Sequence, residues 1–175
     1  IPPGTFMMGR YSGEQDSDSD EDPQHQVTLT RGFWMGKYEV TQAQWQAVMG
    51  SNPSSFTGDA NRPVEQVSWN DITDSGNYTT GFIKRLRDKT GLAGLDLPTQ
   101  IVWDYACRAG TTSDYSDYTQ NRGKGASDAG TLGRLGWYSS NSGSATHDVA
   151  GKQPNAWGLC DMHGNVWEWC TNLIY

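Results

Sequence analysis

Pro154-Asn155-Ala156-Trp157-Gly158-Leu159, followed after Cys160 by Asp161-Met162-His163-Gly164-Asn165-Val166-Trp167-Glu168-Trp169-Cys170, is the stretch on which the fold is decided. Its first part reads as a short extended piece. Its second part reads as a turn feeding a strand, with Val166, Glu168 and Cys170 on one face and Trp167 and Trp169 on the other, since strand side chains alternate. Trp157, Trp167 and Trp169 are expected in the core, because large aromatics can supply burial where aliphatic residues are few.

Upstream, a helix is expected from Thr99, with Trp103 and Cys107 on one side and Gly110 as its stop. Residues 111–135 carry Ser, Thr, Asp, Gly and Tyr without a period and read as a long surface loop. A helical stretch from Asn70 is interrupted at Gly76 and Gly81. Its second half puts Phe82, Ile83 and Leu86 on one face and closes at Gly91. Val64 to Trp69 reads as a short strand. Thr41 with Gln44 three residues on forms a capping box, opening a helix whose apolar face is Trp45, Val48 and Met49. Residues 4–10 and 26–40 read as strands. Between them lies an acidic run from Glu14 to Asp22. The sum is an α+β domain with little regular secondary structure.

The chain has 175 residues, of which 35% are hydrophobic and 19% charged, and it includes 21 Gly, 8 Trp and 8 Tyr. One domain spanning 1–175 is the natural count, rich in loops and large enough for a core. A formal net charge of −7 argues against a nucleic acid or an anionic membrane as partner. No apolar run approaches the ~18 residues of a membrane span. Cys107, Cys160 and Cys170 are too few for a disulfide scaffold, and no two of them form a CxxC pair. The chain opens with Ile1 and not Met, so a processed or trimmed piece is expected.

Five ordered stretches resemble the formylglycine-generating enzyme, or sulfatase-modifying factor, family. They are Ile1-Pro2-Pro3-Gly4-Thr5-Phe6-Met7-Met8-Gly9; Pro23 to Thr28 with Tyr38-Glu39-Val40-Thr41; Arg62 to Trp69; Leu97-Pro98-Thr99 through Gly110; and the 154–169 stretch quoted first. The resemblance implies the family's C-type-lectin-like variant fold. It also implies a C-terminal segment, with a Gly-Gly-Ser-Trp strand and a Gly-Phe-Arg close, that nothing here matches, so a domain truncated at its C-terminus is expected. In the family's oxidases that segment holds two redox cysteines that bind copper and activate oxygen. Relatives carry acidic residues after Leu-Pro-Thr where Gln100 and Val102 stand here, so the capping box at Thr99 is expected to be lost.

The resemblance further implies a structural calcium site. Its ligands would be side-chain oxygens of Asp161 and Glu168 and backbone carbonyls of Gly164 and Val166. Calcium takes 6–8 oxygen ligands, and a turn entering a strand can aim carbonyls and carboxylates at one point. The alternative is a buried Glu held by backbone donors without a metal. The acidic run places Asp16, Asp18 and Asp20 at EF-hand spacing, but Glu21 stands where that loop needs Gly and Val27 where it needs Glu. It reads as a solvated loop. His25, His147 and His163 lack zinc-ligand spacing, and His163 reads as a turn residue. Cys107 is expected as a buried, inert thiol.

Two functions stand open. One is a non-catalytic recognition or structural module with a protein or peptide ligand, using the Tyr- and Ser-rich residues 111–144. The other is part of an oxidase that converts a sulfatase cysteine to formylglycine with O2 and copper. The second requires a cysteine pair beyond this chain. An extracytoplasmic location is expected, because calcium sites of this kind fill more readily outside the cytosol.

Overall fold

The computed structural model describes residues 1–11, 21–112, 114–116 and 129–171. The acidic triplet Asp16, Asp18 and Asp20 lies outside the described residues, as do most of residues 111–128. β1 (Gly4–Met8) and β2 (His25–Leu29) form an antiparallel two-stranded sheet in which Phe6 faces Val27 and Met8 faces His25. Phe6, Val27 and Leu29 turn toward the interior, while Thr5 and Thr28 share a hydroxyl hydrogen bond of 2.9 Å on the outer side. Among the described residues five helices follow: α1 (Gln42–Met49), α2 (Trp69–Thr73), α3 (Phe82–Thr90), α4 (Gln100–Arg108) and α5 (Ala129–Leu135).

The helix boundaries follow from local chemistry. Thr41 and Gln44 make the expected reciprocal capping box, and Gly50 ends α1 in the left-handed conformation. Ser68 and Asp71 form a second box that starts α2, and its two hydrogen bonds hold the Asp71 carboxyl below its ordinary pKa. Thr99 caps α4 by accepting from the Val102 N–H, without a reciprocal side chain, as Gln100 and Val102 foretold.

Two apolar clusters hold these elements together. In the first, Trp45 of α1 stacks on Phe82 of α3 at 4.6 Å, with Val64, Ile72 and Ile83 buried around them. In the second, Ala106, Cys107, Leu159 and Met162 pack with Ile1, Phe33, Met35 and Trp103. Tyr105 joins α4 to the sheet: its ring lies against Phe6, Phe33 and Trp157, and its hydroxyl donates to the Pro2 carbonyl.

Several expected elements are corrected. Residues 33–40 form no strand, because their backbone partners lie in three different segments. Phe33 pairs with Ile1, Lys37 with Cys160, and Val40 with Val64. Residues 64–69 are not a strand either: Gln66 sits at φ 61° and breaks the extended run before Ser68 caps α2. The stretch 164–170 joins no sheet. Gly164 N–H donates back to the Asp161 carbonyl, Asn165 N–H to the Trp137 carbonyl and Val166 N–H to the Glu39 side chain, and Thr171 N–H reaches the Pro98 carbonyl. Within the expected 111–135 loop, residues 129–135 are the helix α5, with Thr131 and Leu135 buried.

Candidate functional site

The turn that opens at Asp161 is built from left-handed backbone. Asp161 has φ 61°, Gly164 φ 151° and Asn165 φ 84°. It lies against the residues just after α5, backbone on backbone, and Asn165 N–H donates to the Trp137 carbonyl at 2.8 Å. The approach leaves no room for side chains. A Cβ on Gly164 would lie 2.2 Å from the Trp137 oxygen, and one on Gly136 would lie 2.3 Å from the His163 oxygen.

Asp161 is buried, with 2% of its surface exposed. Its Oδ2 accepts from the Ala150 N–H at 2.6 Å, while its Oδ1 is buried with no hydrogen-bond partner. Burial raises its pKa, partly offset by the Ala150 bond. Glu168 is an exposed residue whose carboxyl lines a cavity; desolvation raises its pKa, the nearby Trp103 indole lowers it, and the Asp161 charge raises it again. Trp103 Nε1 is itself buried without a partner at hydrogen-bond distance.

The four residues expected to hold a metal are therefore gathered in one turn and the segment that leaves it. Asp161 and Glu168 are close enough to sense each other's charge. The carbonyls of Gly164 and Val166 accept no hydrogen bond from the described residues. No group of three or more His, Cys, Asp or Glu side chains among the described residues could hold a metal alone. The arrangement suits an oxygen-seeking ion that takes carbonyls as well as carboxylates. An orphaned, fully buried carboxylate oxygen is costly unless something cationic meets it.

One residue of this site was not foreseen. Glu39, buried at 7% exposure, reaches across from the segment before α1. Its Oε1 accepts from Val166 N–H at 3.0 Å, and its Oε2 accepts from Asn165 Nδ2 at 2.8 Å. Desolvation pushes its pKa up to about 9; the Val166 bond opposes this, and the Asp161 and Glu168 charges add to it. The signal was present in Tyr38-Glu39-Val40-Thr41, where a lone acid sits in an otherwise uncharged run.

His163 is a structural residue, as expected. Ser116 presents its N–H and hydroxyl to His163 Nε2 at 3.1 and 2.8 Å, and burial pushes the imidazole pKa down to about 4. Cys107 is free and buried, with its thiol donating to the Met162 carbonyl at 3.5 Å and its pKa well above the ordinary thiol value through burial. Burial raises Cys160 as well, and Cys170 to about 11.

Beside the turn opens a cavity of about 340 Å³ whose walls include Glu39, Trp45, Phe82, Trp167, Glu168 and Trp169. The expectation that three tryptophans are core is met only in part by Trp157, which is half-buried and packs on Tyr105 at 4.8 Å. It fails for Trp167, which is fully exposed, and for Trp169, which is 46% exposed. Trp169 rests edge-on against Trp69 and donates its indole N–H to the Val67 carbonyl. The Tyr and Ser surface expected in 111–144 is only partly described, and Ser116 within it is buried. No helix among the described residues is long and apolar enough to cross a membrane.

Comparison with known proteins places the chain. It is 31% identical to a protein named Chaperone protein LppX from Paenibacillus barcinonensis, over 93% of this chain and 68% of the relative. It is 32% identical to the formylglycine-generating enzyme of Mycobacterium tuberculosis, over 78% of this chain but 42% of that enzyme, so it spans well under half of that relative's length. Among solved structures it resembles Treponema denticola variable protein 1, with TM-score 0.72 and 29% identity, covering 97% of this chain and 70% of that one. It also resembles PvdO from Pseudomonas aeruginosa, with TM-score 0.75 and 25% identity, covering 100% and 70% of the two chains. With the family's sequence model matching residues 1–174, this chain belongs to the sulfatase-modifying factor enzyme 1-like domain family.

Proposed function

We propose that this domain is a calcium-stabilised, non-catalytic recognition module of the C-type-lectin-like variant fold, which takes a protein or peptide segment in the cleft beside its calcium turn. The observation that carries this reading is the cleft itself. An apolar cavity of about 340 Å³ is flanked by Trp167 at full exposure, with Tyr38, Val40 and Trp169 also exposed around it. Cavities of this size suit a side chain or a short segment, and tryptophan is enriched where binding energy concentrates. The 31%-identical relative that bears the name chaperone supports a protein-binding role.

Trp167→Ala tests the cleft. With the indole already in solvent, the variant should unfold within ~0.5 kcal/mol of the wild type. It should also lose the tryptophan-emission shift that apolar peptides produce in the wild type. A peptide panel that leaves wild-type emission and melting unchanged would refute the recognition reading.

The second reading, part of a formylglycine-generating oxidase, is favoured by the 32% identity to the mycobacterial enzyme. Its copper would need two cysteines outside this chain. Formylglycine appearing in a sulfatase-motif peptide incubated with this chain and copper would establish it instead.

Asp161, Glu168 and the carbonyls of Gly164 and Val166 would hold the calcium, which supplies positive charge where carboxylates are buried. Since calcium binds the folded state, melting curves in calcium should lie above those in EDTA, by about 2.7 kcal/mol at a hundredfold excess over the dissociation constant. Glu168→Gln should remove most of that gain. Asp161→Asn is a harsher change than its similar shape suggests. Both Asp161 oxygens are needed, one for the Ala150 N–H and one for the ion, and Asn has a single oxygen. It should weaken calcium binding and lower the melting point in EDTA. Coincident wild-type curves in EDTA and calcium would end the calcium reading.

A further inference from the structure

We propose that Glu39 is the positioning residue of the candidate calcium turn: its carboxylate clamps the Asn165–Val166 peptide, which lies between the two carbonyls that would hold the ion, and so sets calcium affinity from a distant part of the chain. The inference rests on the calcium reading above and adds to it a residue outside the 161–168 stretch.

The geometry is that of a clasp. The candidate carbonyl ligands belong to Gly164 and Val166, and the peptide between them carries the Val166 N–H. That N–H donates to Glu39 Oε1 at 3.0 Å, and the Asn165 side chain donates to Glu39 Oε2 at 2.8 Å. The peptide on the other side of Asn165 is held independently, by Asn165 N–H on the Trp137 carbonyl at 2.8 Å. The Asn165 amide is fixed as well: its oxygen accepts from the His147 N–H at 2.9 Å, and its nitrogen also donates to the His147 carbonyl at 3.0 Å. With the amide pinned in this sense, only an acceptor can stand at Glu39 Oε2. Both Glu39 oxygens already accept from donors of the turn, and in this proposal Glu39 orients the ligands from behind them. Groups that orient ligands behind a metal commonly change its affinity by roughly 10- to 100-fold when replaced.

Glu39→Gln isolates this role. Glutamine can keep the bond from Val166 N–H, but its NH2 then faces the Asn165 NH2, and the clasp loses one arm. Calcium titration by calorimetry, paired with melting in EDTA, separates affinity from fold. The expected result is a dissociation constant raised roughly 10- to 100-fold, with a smaller loss in the EDTA melting point. A wild-type dissociation constant combined with a lowered EDTA melting point would overturn the proposal and leave Glu39 a purely structural acid. Should Glu39→Gln fail to fold, Asn165→Gly removes the same arm from its other end while tolerating φ 84°, and the same two outcomes decide. A wild type that binds no calcium is a different result, which overturns the calcium reading and this proposal together.

Discussion

Gly164→Ala is expected to cost about 4 kcal/mol or more, enough to leave much of the protein unfolded at ambient temperature, given typical domain stabilities of about 5–15 kcal/mol. The new Cβ would stand 2.2 Å from the Trp137 carbonyl oxygen and 3.0 Å from its carbon, and both neighbours are backbone that cannot rotate away. Gly164 also sits at φ 151°, where an L-residue is strained. The turn would have to leave the 136–137 segment, breaking the Asn165–Trp137 bond and the alignment of the candidate metal ligands. Gly133→Ala is the matched control. Gly133 lies within α5, and the nearest atom to its added Cβ is Asn141 Nδ2 at 3.8 Å. There alanine should be neutral or stabilise by about 0.5–1 kcal/mol through helix propensity. Urea midpoints for the two variants should move in opposite directions or differ several-fold. Equal, small shifts would show that the two backbones do not approach as described.

Asn155→Ala should be nearly as damaging, at about 3–4 kcal/mol. Asn155 is buried at 4% exposure, and its side chain serves four backbone groups. Nδ2 donates to the carbonyls of Ala106 at 2.8 Å and Cys107 at 3.2 Å. Oδ1 accepts from the N–H groups of Trp157 at 3.0 Å and Leu159 at 3.1 Å. The two carbonyls lie in the last turn of α4, where helical partners run out. Asn155 therefore finishes a helix from some fifty residues away while closing its own loop. Alanine would strand those groups in the second apolar cluster, beside Leu159 and Cys107. Asn155→Asp sharpens the test: the carboxylate is nearly isosteric but cannot donate, and it would face two carbonyl oxygens. It should be at least as destabilising as alanine at neutral pH. An Asp variant close to wild type would mean that the two donor bonds contribute little.

These two residues mark where sequence reading succeeds and where it stops. Thr41, Ser68 and Thr99 act within three or four residues of themselves, so the capped starts of α1, α2 and α4 are readable in a linear pattern. The Ser68 box was legible too, but a strand assigned to Val64–Trp69 hid it. The strand assignments failed because alternation reports only which side chains could be buried. It does not report whether a single neighbouring strand exists, and residues 33–40 divide their bonds among three segments. The spacing of Asp161, Gly164, Val166 and Glu168 marked out in advance the turn that the structure opens at Asp161 with left-handed backbone. The roles of Glu39 and Asn155 are not readable in the sequence, since their partners lie about 126 and 49 residues away. The exposure of Trp167 was equally hidden, because burial depends on which chain covers a residue and not on the residue itself.

The hydrogen bond from Val166 to Glu39 closes a loop of 127 residues, and that span has a kinetic meaning. Contacts between remote residues are rewarded only after the intervening chain has given up its freedom, so they form late and slow the search. At a synthesis rate of about 5–20 residues per second, Glu39 leaves the ribosome roughly 6–25 seconds before Val166 does. Throughout that interval its carboxylate has no turn to hold and remains hydrated. The buried members of the α1–α3 cluster, from Trp45 to Ile83, and Leu97 beside them are all in place well before residue 166 and can assemble in the meantime. Burial of the acid then waits for Asn165 and Val166 to arrive, long after that cluster can have formed.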